Sequence, residues 1–298
     1  MTSNGPGTWL PWPLRDVLLA DRTLAVRESG SGKGEPAIFI HGLGGSSTNW
    51  TDLTGLLADQ LDAVAIDLPG FGHTPPPRDG DYTPAGHARS VAALLRDRFD
   101  GPAHVFGNSL GGAVAVELAA AEPDLVKSLT LVSPALPEYR PRFTNIQLPI
   151  VSTPGVGAGL FNQYLKRDVA ARVRDTIAIC FHDPGVVPPH RLTEAIVEAE
   201  RWGRLPYASD AMRSSLRGLL LGYLTRSANP WRKLGETRAP VLAIYGRADQ
   251  LVNSAAALRI TKYVPGARVV VLPGVGHVAQ LERPIEVATM WRDWRATF

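Results

Sequence analysis

Gly107-Asn108-Ser109-Leu110-Gly111-Gly112 joins a short apolar run, Ala103 to Phe106, to a run of small residues, Ala113 to Ala121. The first run predicts a buried strand and the second a helix, so the serine falls on the turn between them. This is the G-x-S-x-G nucleophile elbow in the context it requires. A serine on so tight a turn has crowded neighbours, and glycine two residues to either side removes the β-carbons that would clash. The turn lifts the hydroxyl to where a substrate can reach it. Without the flanking strand and helix the bare pattern would carry little.

A serine hydroxyl is a poor nucleophile at neutral pH and needs a base, which in turn needs an orienting carboxylate. Downstream, Val241 to Tyr245 and Arg268 to Leu272 read as strands. Asp249 follows the first in Tyr245-Gly246-Arg247-Ala248-Asp249, and His277 follows the second in Pro273-Gly274-Val275-Gly276-His277. Loops at the carboxyl ends of parallel strands are where catalytic groups of such sheets collect. Ser109, Asp249 and His277 are therefore the candidate nucleophile, acid and base.

Upstream, Ile40-His41-Gly42-Leu43-Gly44-Gly45 follows the strand Ala37 to Ile40. Its backbone can supply one oxyanion donor, the N–H of Leu43, beside the N–H of Leu110 after the nucleophile; each such donor is typically worth ~3 kcal/mol in the transition state. His41, Gly42, Asn108 and Val278 are the residues expected to border the substrate, His41 mainly by shaping the loop. The glycines also imitate a dinucleotide-binding loop, but position 47 holds Ser where the third glycine should be. Asp67, in Asp67-Leu68-Pro69-Gly70-Phe71-Gly72, is expected to fix a turn.

With these segments in order, the chain resembles the α/β-hydrolase-fold serine hydrolases over roughly residues 14 to 298. The order Ser109, Asp249, His277 is the one found in that fold. The resemblance implies ester or related acyl hydrolysis without cofactor or metal. Haloalkane dehalogenases and epoxide hydrolases share the Asp67 to Gly72 turn but carry an aspartate at the elbow, where this chain has Ser109. Carbon–carbon bond hydrolases of meta-cleavage dienoates resemble the Ser109 segment and Gly276-His277-Val278-Ala279-Gln280 closely. They usually carry a Gly-Pro-Gly type loop and a Trp after the histidine, where Leu43-Gly44-Gly45 and Val278 stand here.

The rest of the chain agrees with an α/β fold. Asp16 to Ala20 and Thr23 to Glu28, separated by Asp21-Arg22, predict a leading hairpin; Ala37 to Ile40, Ala63 to Ile66, Ala103 to Phe106, Leu129 to Val132, Val241 to Tyr245 and Arg268 to Leu272 predict the other strands. Their near-continuous apolar character suits a mostly parallel eight-stranded sheet with helices on both faces. Thr83-Pro84 and Arg283-Pro284 open helices. Residues 1–135 and 235–298 form the expected core, and 136–234 the expected helical cap, with helices near Arg191 to Trp202 and Asp210 to Leu224. Phe143, Phe161, Tyr164, Phe181, Trp202 and Tyr223 in that insertion suit a lid over an apolar pocket.

Composition excludes several classes. In 298 residues, 45% apolar and 20% charged side chains are ample for a large core, which rules out global disorder. One cysteine, Cys180, excludes an internal disulfide and any cysteine-built metal site. A net charge of +3 without a basic run gives no nucleic-acid footprint. No signal-peptide pattern or membrane-length apolar stretch is seen, so a soluble cytoplasmic protein is expected, with room left for a homodimer. The leading function is cleavage of a carboxylic ester of a small, largely apolar substrate through an acyl-enzyme. Meta-cleavage-type C–C hydrolysis is the alternative, and a small-ligand sensor with a slow triad is the alternative of another class.

Overall fold

The computed structural model describes residues 9–29, 32–138, 150, 152–153, 155–225 and 229–298. Strands β1 (Leu14–Leu18), β2 (Thr23–Glu28), β3 (Glu35–Ile40), β4 (Leu61–Ile66), β5 (Ala103–Asn108), β6 (Val126–Val132), β7 (Val241–Gly246) and β8 (Arg268–Leu272) form one sheet. Their order is β1-β2-β4-β3-β5-β6-β7-β8. β2 runs antiparallel to β1 and β4, and every pairing from β4 to β8 is parallel. The expected eight-stranded, mostly parallel sheet is therefore observed.

Period-two alternation divides each strand between two cores. Ile38 and Ile40 of β3 face one, with Val91, Val114, Trp231 and Ile260; Ala37 and Phe39 face the other, with Leu53, Leu57, Trp291 and Trp294. The first core is covered by helices α2 (Pro84–Arg98), α3 (Leu110–Ala121), α8 (Pro230–Gly235) and α9 (Ala257–Tyr263), and the second by α1 (Thr51–Leu57) and α10 (Pro284–Arg295). Phe39 stacks on Phe106 at 4.2 Å between centroids, and Phe106 meets Trp291 at 5.7 Å. Such pairs add about 0.5–1.5 kcal/mol to the burial of the rings.

The capping chemistry works where proline and threonine predict it: the Thr83 side chain accepts the Gly86 N–H at 3.1 Å, and Pro84 opens α2. The hairpin departs from expectation. β1 spans Leu14–Leu18, two residues earlier than predicted, and Leu19 N–H donates to Arg22 O at 2.8 Å, so the turn takes four residues. Pairing of Leu14 with Arg27 sets this register.

Between β6 and β7 lie α4 (Val156–Leu165), α5 (Val169–Cys180), α6 (Pro189–Gly203), α7 (Ala208–Leu224) and α8. α6 and α7 cover the two stretches the sequence marks as helical; Phe143 lies outside the described residues. α7 rests on α2, where the His87 Nε2 lies 3.2 Å from the Ser215 hydroxyl. Among the described residues no helix is long and apolar enough to cross a membrane.

Burial depresses His41, His87 and His104 below the usual imidazole range, His87 to about 3. The unfolded chain takes up protons below about pH 6.5 that the native state refuses, so stability is complete above that value and is lost as pH falls toward 3. We expect the unfolding free energy from urea titrations to drop between pH 7 and pH 4, by up to about 1.4 kcal/mol per pH unit from His87 alone. His87→Gln should flatten the dependence; an unchanged slope in that variant would contradict the assignment.

Candidate active site

β5 ends at Asn108, and Ser109 follows with φ 53° and ψ −117° before α3 begins at Leu110. Positive φ on a residue with a β-carbon is strained and persists only when its surroundings over-determine it. Here the Ser109 N–H donates to Val132 O at 3.1 Å, and the Ser109 carbonyl accepts from the N–H groups of Gly112, Ala113 and Ala135. The glycines match the steric reasoning. A β-carbon on Gly107 would overlap the Gly111 carbonyl, and one on Gly111 would overlap the carbonyl of Ile40.

Asp249 and His277 emerge beyond β7 and β8, and both are buried. The Nδ1–H of His277 donates to Asp249 Oδ2 at 2.9 Å, while Oδ1 accepts the N–H groups of Leu251 at 2.8 Å and Val252 at 2.9 Å. Burial by itself would raise the Asp249 carboxyl; the facing His277 and the two peptide donors outweigh it and hold the group below its ordinary range. An ionised carboxylate can only accept, so the proton between them belongs to Nδ1.

Asn108 joins the elbow to the histidine loop: its Nδ2 donates to Val132 O at 3.0 Å and to His277 O at 3.1 Å. The His277 N–H donates to Cys180 O at 2.6 Å, so the end of α5 abuts the same residue.

The loop after β3 closes on itself, the Gly45 N–H donating to Gly42 O at 3.0 Å. Gly44 sits at φ +74° in that turn, a conformation glycine adopts freely. The N–H of Leu43 lies outside the turn's own hydrogen bond, and Leu110, as the first residue of α3, has no acceptor within the helix for its N–H. Gly42 lies so close to the elbow that a β-carbon there would stand 3.2 Å from Ser109 Cβ.

Two of the residues expected to border the substrate make their hydrogen bonds within the scaffold, His41 in the loop-shaping way expected of it. His41 is fully buried; its Nε2 accepts the Leu68 N–H at 2.9 Å, so Nδ1 carries the proton and donates to Gly42 O at 2.7 Å. Asn108 is also buried, with its amide nitrogen committed to the two carbonyls above. Asp67 fixes the following turn, accepting the N–H groups of Ser47 at 2.6 Å and His73 at 2.8 Å.

A cavity of about 330 Å³ is lined by Leu43 and Gly44 of the glycine loop and by Val278, the residue after His277. Its far wall comes from α4, α5 and α6, including Phe161, Ile177 and Trp202. α6 is moored to the Asp67 turn: the Trp202 Nε1–H donates to Gly70 O at 2.9 Å and the Arg201 guanidinium to Gly72 O at 2.6 Å. A groove of about 420 Å³ among Trp12, Arg15, Glu28 and Arg98 borders none of the three loops.

The model of the alpha/beta hydrolase fold family matches residues 36–284. The chain belongs to the α/β-hydrolase fold family. It is similar to the dihydrolipoyllysine-residue acetyltransferase component of the acetoin cleaving system of Cupriavidus necator, 31% identical over 261 residues that cover 87% of this chain and 63% of that protein. The chain thus spans less than two thirds of that relative. Lipase 1 of Psychrobacter immobilis is 28% identical over 283 residues, 94% of this chain and 83% of the lipase. The solved 2-hydroxy-6-oxo-6-phenylhexa-2,4-dienoate hydrolase of a Rhodococcus strain superposes with a TM-score of 0.75 at 22% identity, over 95% of this chain and 100% of that one, a likeness of fold.

Sequence reasoning passes over Glu282. This buried carboxylate accepts the Gly276 N–H at 2.6 Å through Oε1 and the His182 N–H at 2.9 Å through Oε2, and so clamps the histidine loop to the segment after α5. The available signal was its place just before Arg283-Pro284, where a helix start makes a polar residue unremarkable. Glu282→Ala strands two buried peptide donors, at about 1–3 kcal/mol each. We expect a loss of roughly 2–5 kcal/mol in denaturant unfolding, with Glu282→Gln intermediate; a wild-type midpoint for the alanine variant would refute the clamp.

Proposed function

We propose that this protein hydrolyses carboxylic esters of small, largely apolar substrates through an acyl-enzyme on Ser109. The observation that carries the reading is the Asp249–His277 bond, which commits Nδ1 to the carboxylate and leaves Nε2 as the ring nitrogen for proton transfer, on the scaffold that holds Ser109 at positive φ.

In this mechanism Ser109 Oγ attacks the ester carbonyl carbon while His277 Nε2 takes the hydroxyl proton. The oxyanion receives the N–H groups of Leu43 and Leu110. Collapse breaks the bond to the alkoxy oxygen, which leaves with the proton from His277. Water then attacks the acyl-enzyme with His277 again as base, releasing the acid and restoring Ser109. Asp249 holds the tautomer and stabilises the imidazolium in both halves. The balance is ester plus water to acid plus alcohol, with nothing further consumed.

Residues 136–234 serve as a cap in this reading, with Phe161, Ile177 and Trp202 giving the cavity its apolar wall. A cavity of about 330 Å³ suits a short acyl or aryl ester. The ester reading is preferred over dienoate C–C cleavage because Val278 and Leu43-Gly44-Gly45 stand where the C–C hydrolases usually carry a tryptophan and a Gly-Pro-Gly type loop.

Turnover of p-nitrophenyl butyrate alongside a meta-cleavage dienoate tests the reading. We expect ester cleavage to dominate, Ser109→Ala to lower kcat by at least about 10⁴ and Asp249→Asn by about 10³–10⁴, both variants remaining folded. Dienoate cleavage with negligible ester turnover would transfer the site to C–C chemistry. Binding of either compound without turnover would make it a sensor.

A further inference from the structure

Arg172 lies on α5 and lines the cavity, yet is only 7% exposed. The other cation lining it is neutralised: Arg191 pairs with Asp52 at 2.9 Å and Glu194 at 2.9 Å, and the lining carboxylate Glu198 pairs with Arg201 at 2.6 Å. Arg172 makes no hydrogen bond or ion pair through its guanidinium among the described residues, and its Nε is out of solvent contact with no acceptor. What surrounds it is the Tyr164 ring, 5.6 Å from the guanidinium carbon to the centroid, and Gly203, where a β-carbon would stand 3.6 Å from the guanidinium. Gly203 ends α6, and the negative end of that helix lowers the cost of the charge without supplying a partner. The carboxylates that line the same cavity, Asp52, Glu194 and Glu198, are paired with Arg191 and Arg201, so among the described residues nothing meets the Arg172 charge, and a largely buried guanidinium of this kind is costly unless something arrives to meet it.

We propose that Arg172 is the binding site for a carboxylate carried by the substrate, remote from the ester that is cleaved; this rests on the ester-hydrolase reading above. The position along α5 sets the distance. Cys180, whose carbonyl holds the His277 N–H, and Thr176 and Arg172 line the cavity at four-residue spacing on one helix face. Eight residues of helix separate the end at His277 from Arg172, about 12 Å at 1.5 Å per residue. The substrate class is thus an ester with an apolar middle and a carboxylate on the order of 12 Å from the scissile carbonyl. One guanidinium matches one negative charge, and its planar fork suits a carboxylate.

The test compares mono-p-nitrophenyl suberate with its ω-methyl ester, reading p-nitrophenol release as kcat/KM. Wild type should favour the free acid by about tenfold to a hundredfold. Arg172→Met should bring the ratio close to one, and Arg172→Lys should restore part of it. A wild-type ratio near one, or a preference that survives Arg172→Met, overturns the proposal. Calorimetry of suberate with the Ser109→Ala protein gives an answer independent of turnover and of how Arg172→Met folds: binding that Arg172→Lys weakens supports the site, and no binding refutes it. Binding of suberate without hydrolysis of either ester would keep the carboxylate site and remove the ester-hydrolase reading.

Discussion

The imidazole of His277 is fixed through its ring and through both of its peptide groups. The Asp249 carboxylate accepts the ring Nδ1–H, the Cys180 carbonyl accepts the peptide N–H, and Asn108 donates to the carbonyl. These partners come from the loop after β7, from the end of α5 and from the last position of β5. One residue therefore ties together the sheet edge, the nucleophile turn and the helices between β6 and β7. In the proposed mechanism, a ring held in this way does not have to search for its tautomer or direction when a substrate arrives, which is what preorganisation of a base means physically.

The surroundings of that ring are built with little waste. Both oxygens of Asp249 are used, one by the base and one by two peptide groups, so its charge is compensated although it is buried. His41 and Asp67 perform the same service for the neighbouring loops, converting what would be mobile glycine-rich segments into fixed walls. The strain at Ser109 is affordable because four backbone hydrogen bonds converge on that single residue.

Much of this was legible in the sequence because it is local. Strand, turn and helix around Ser109 are coded within a short span of chain, and Asp249 and His277 follow apolar strands whose carboxyl ends must share one edge. The parts that escaped depend on tertiary pairing. The loop-shaping part expected of His41 has its partners, Gly42 O and the Leu68 N–H, only in the fold, and so do the two carbonyls that the Asn108 amide meets. Glu282 is an ordinary acid in the sequence and becomes a clamp only when Gly276 and His182 are brought to it. Trp202 was expected to be part of a lid, but its bond to Gly70, which seats α6 on the Asp67 turn, has no sequence signal. The same limit applies to Arg172, one arginine among many until its neighbours prove to be paired elsewhere.

The central claim is that Ser109 is a nucleophile activated by His277. Mass spectrometry of the protein after brief exposure to a fluorophosphonate measures this directly. The account requires one adduct per chain, localised to the Ser109 peptide, lost on prior heat denaturation and lost in His277→Ala. An intact protein that gains no adduct, or gains it at another residue, would contradict it.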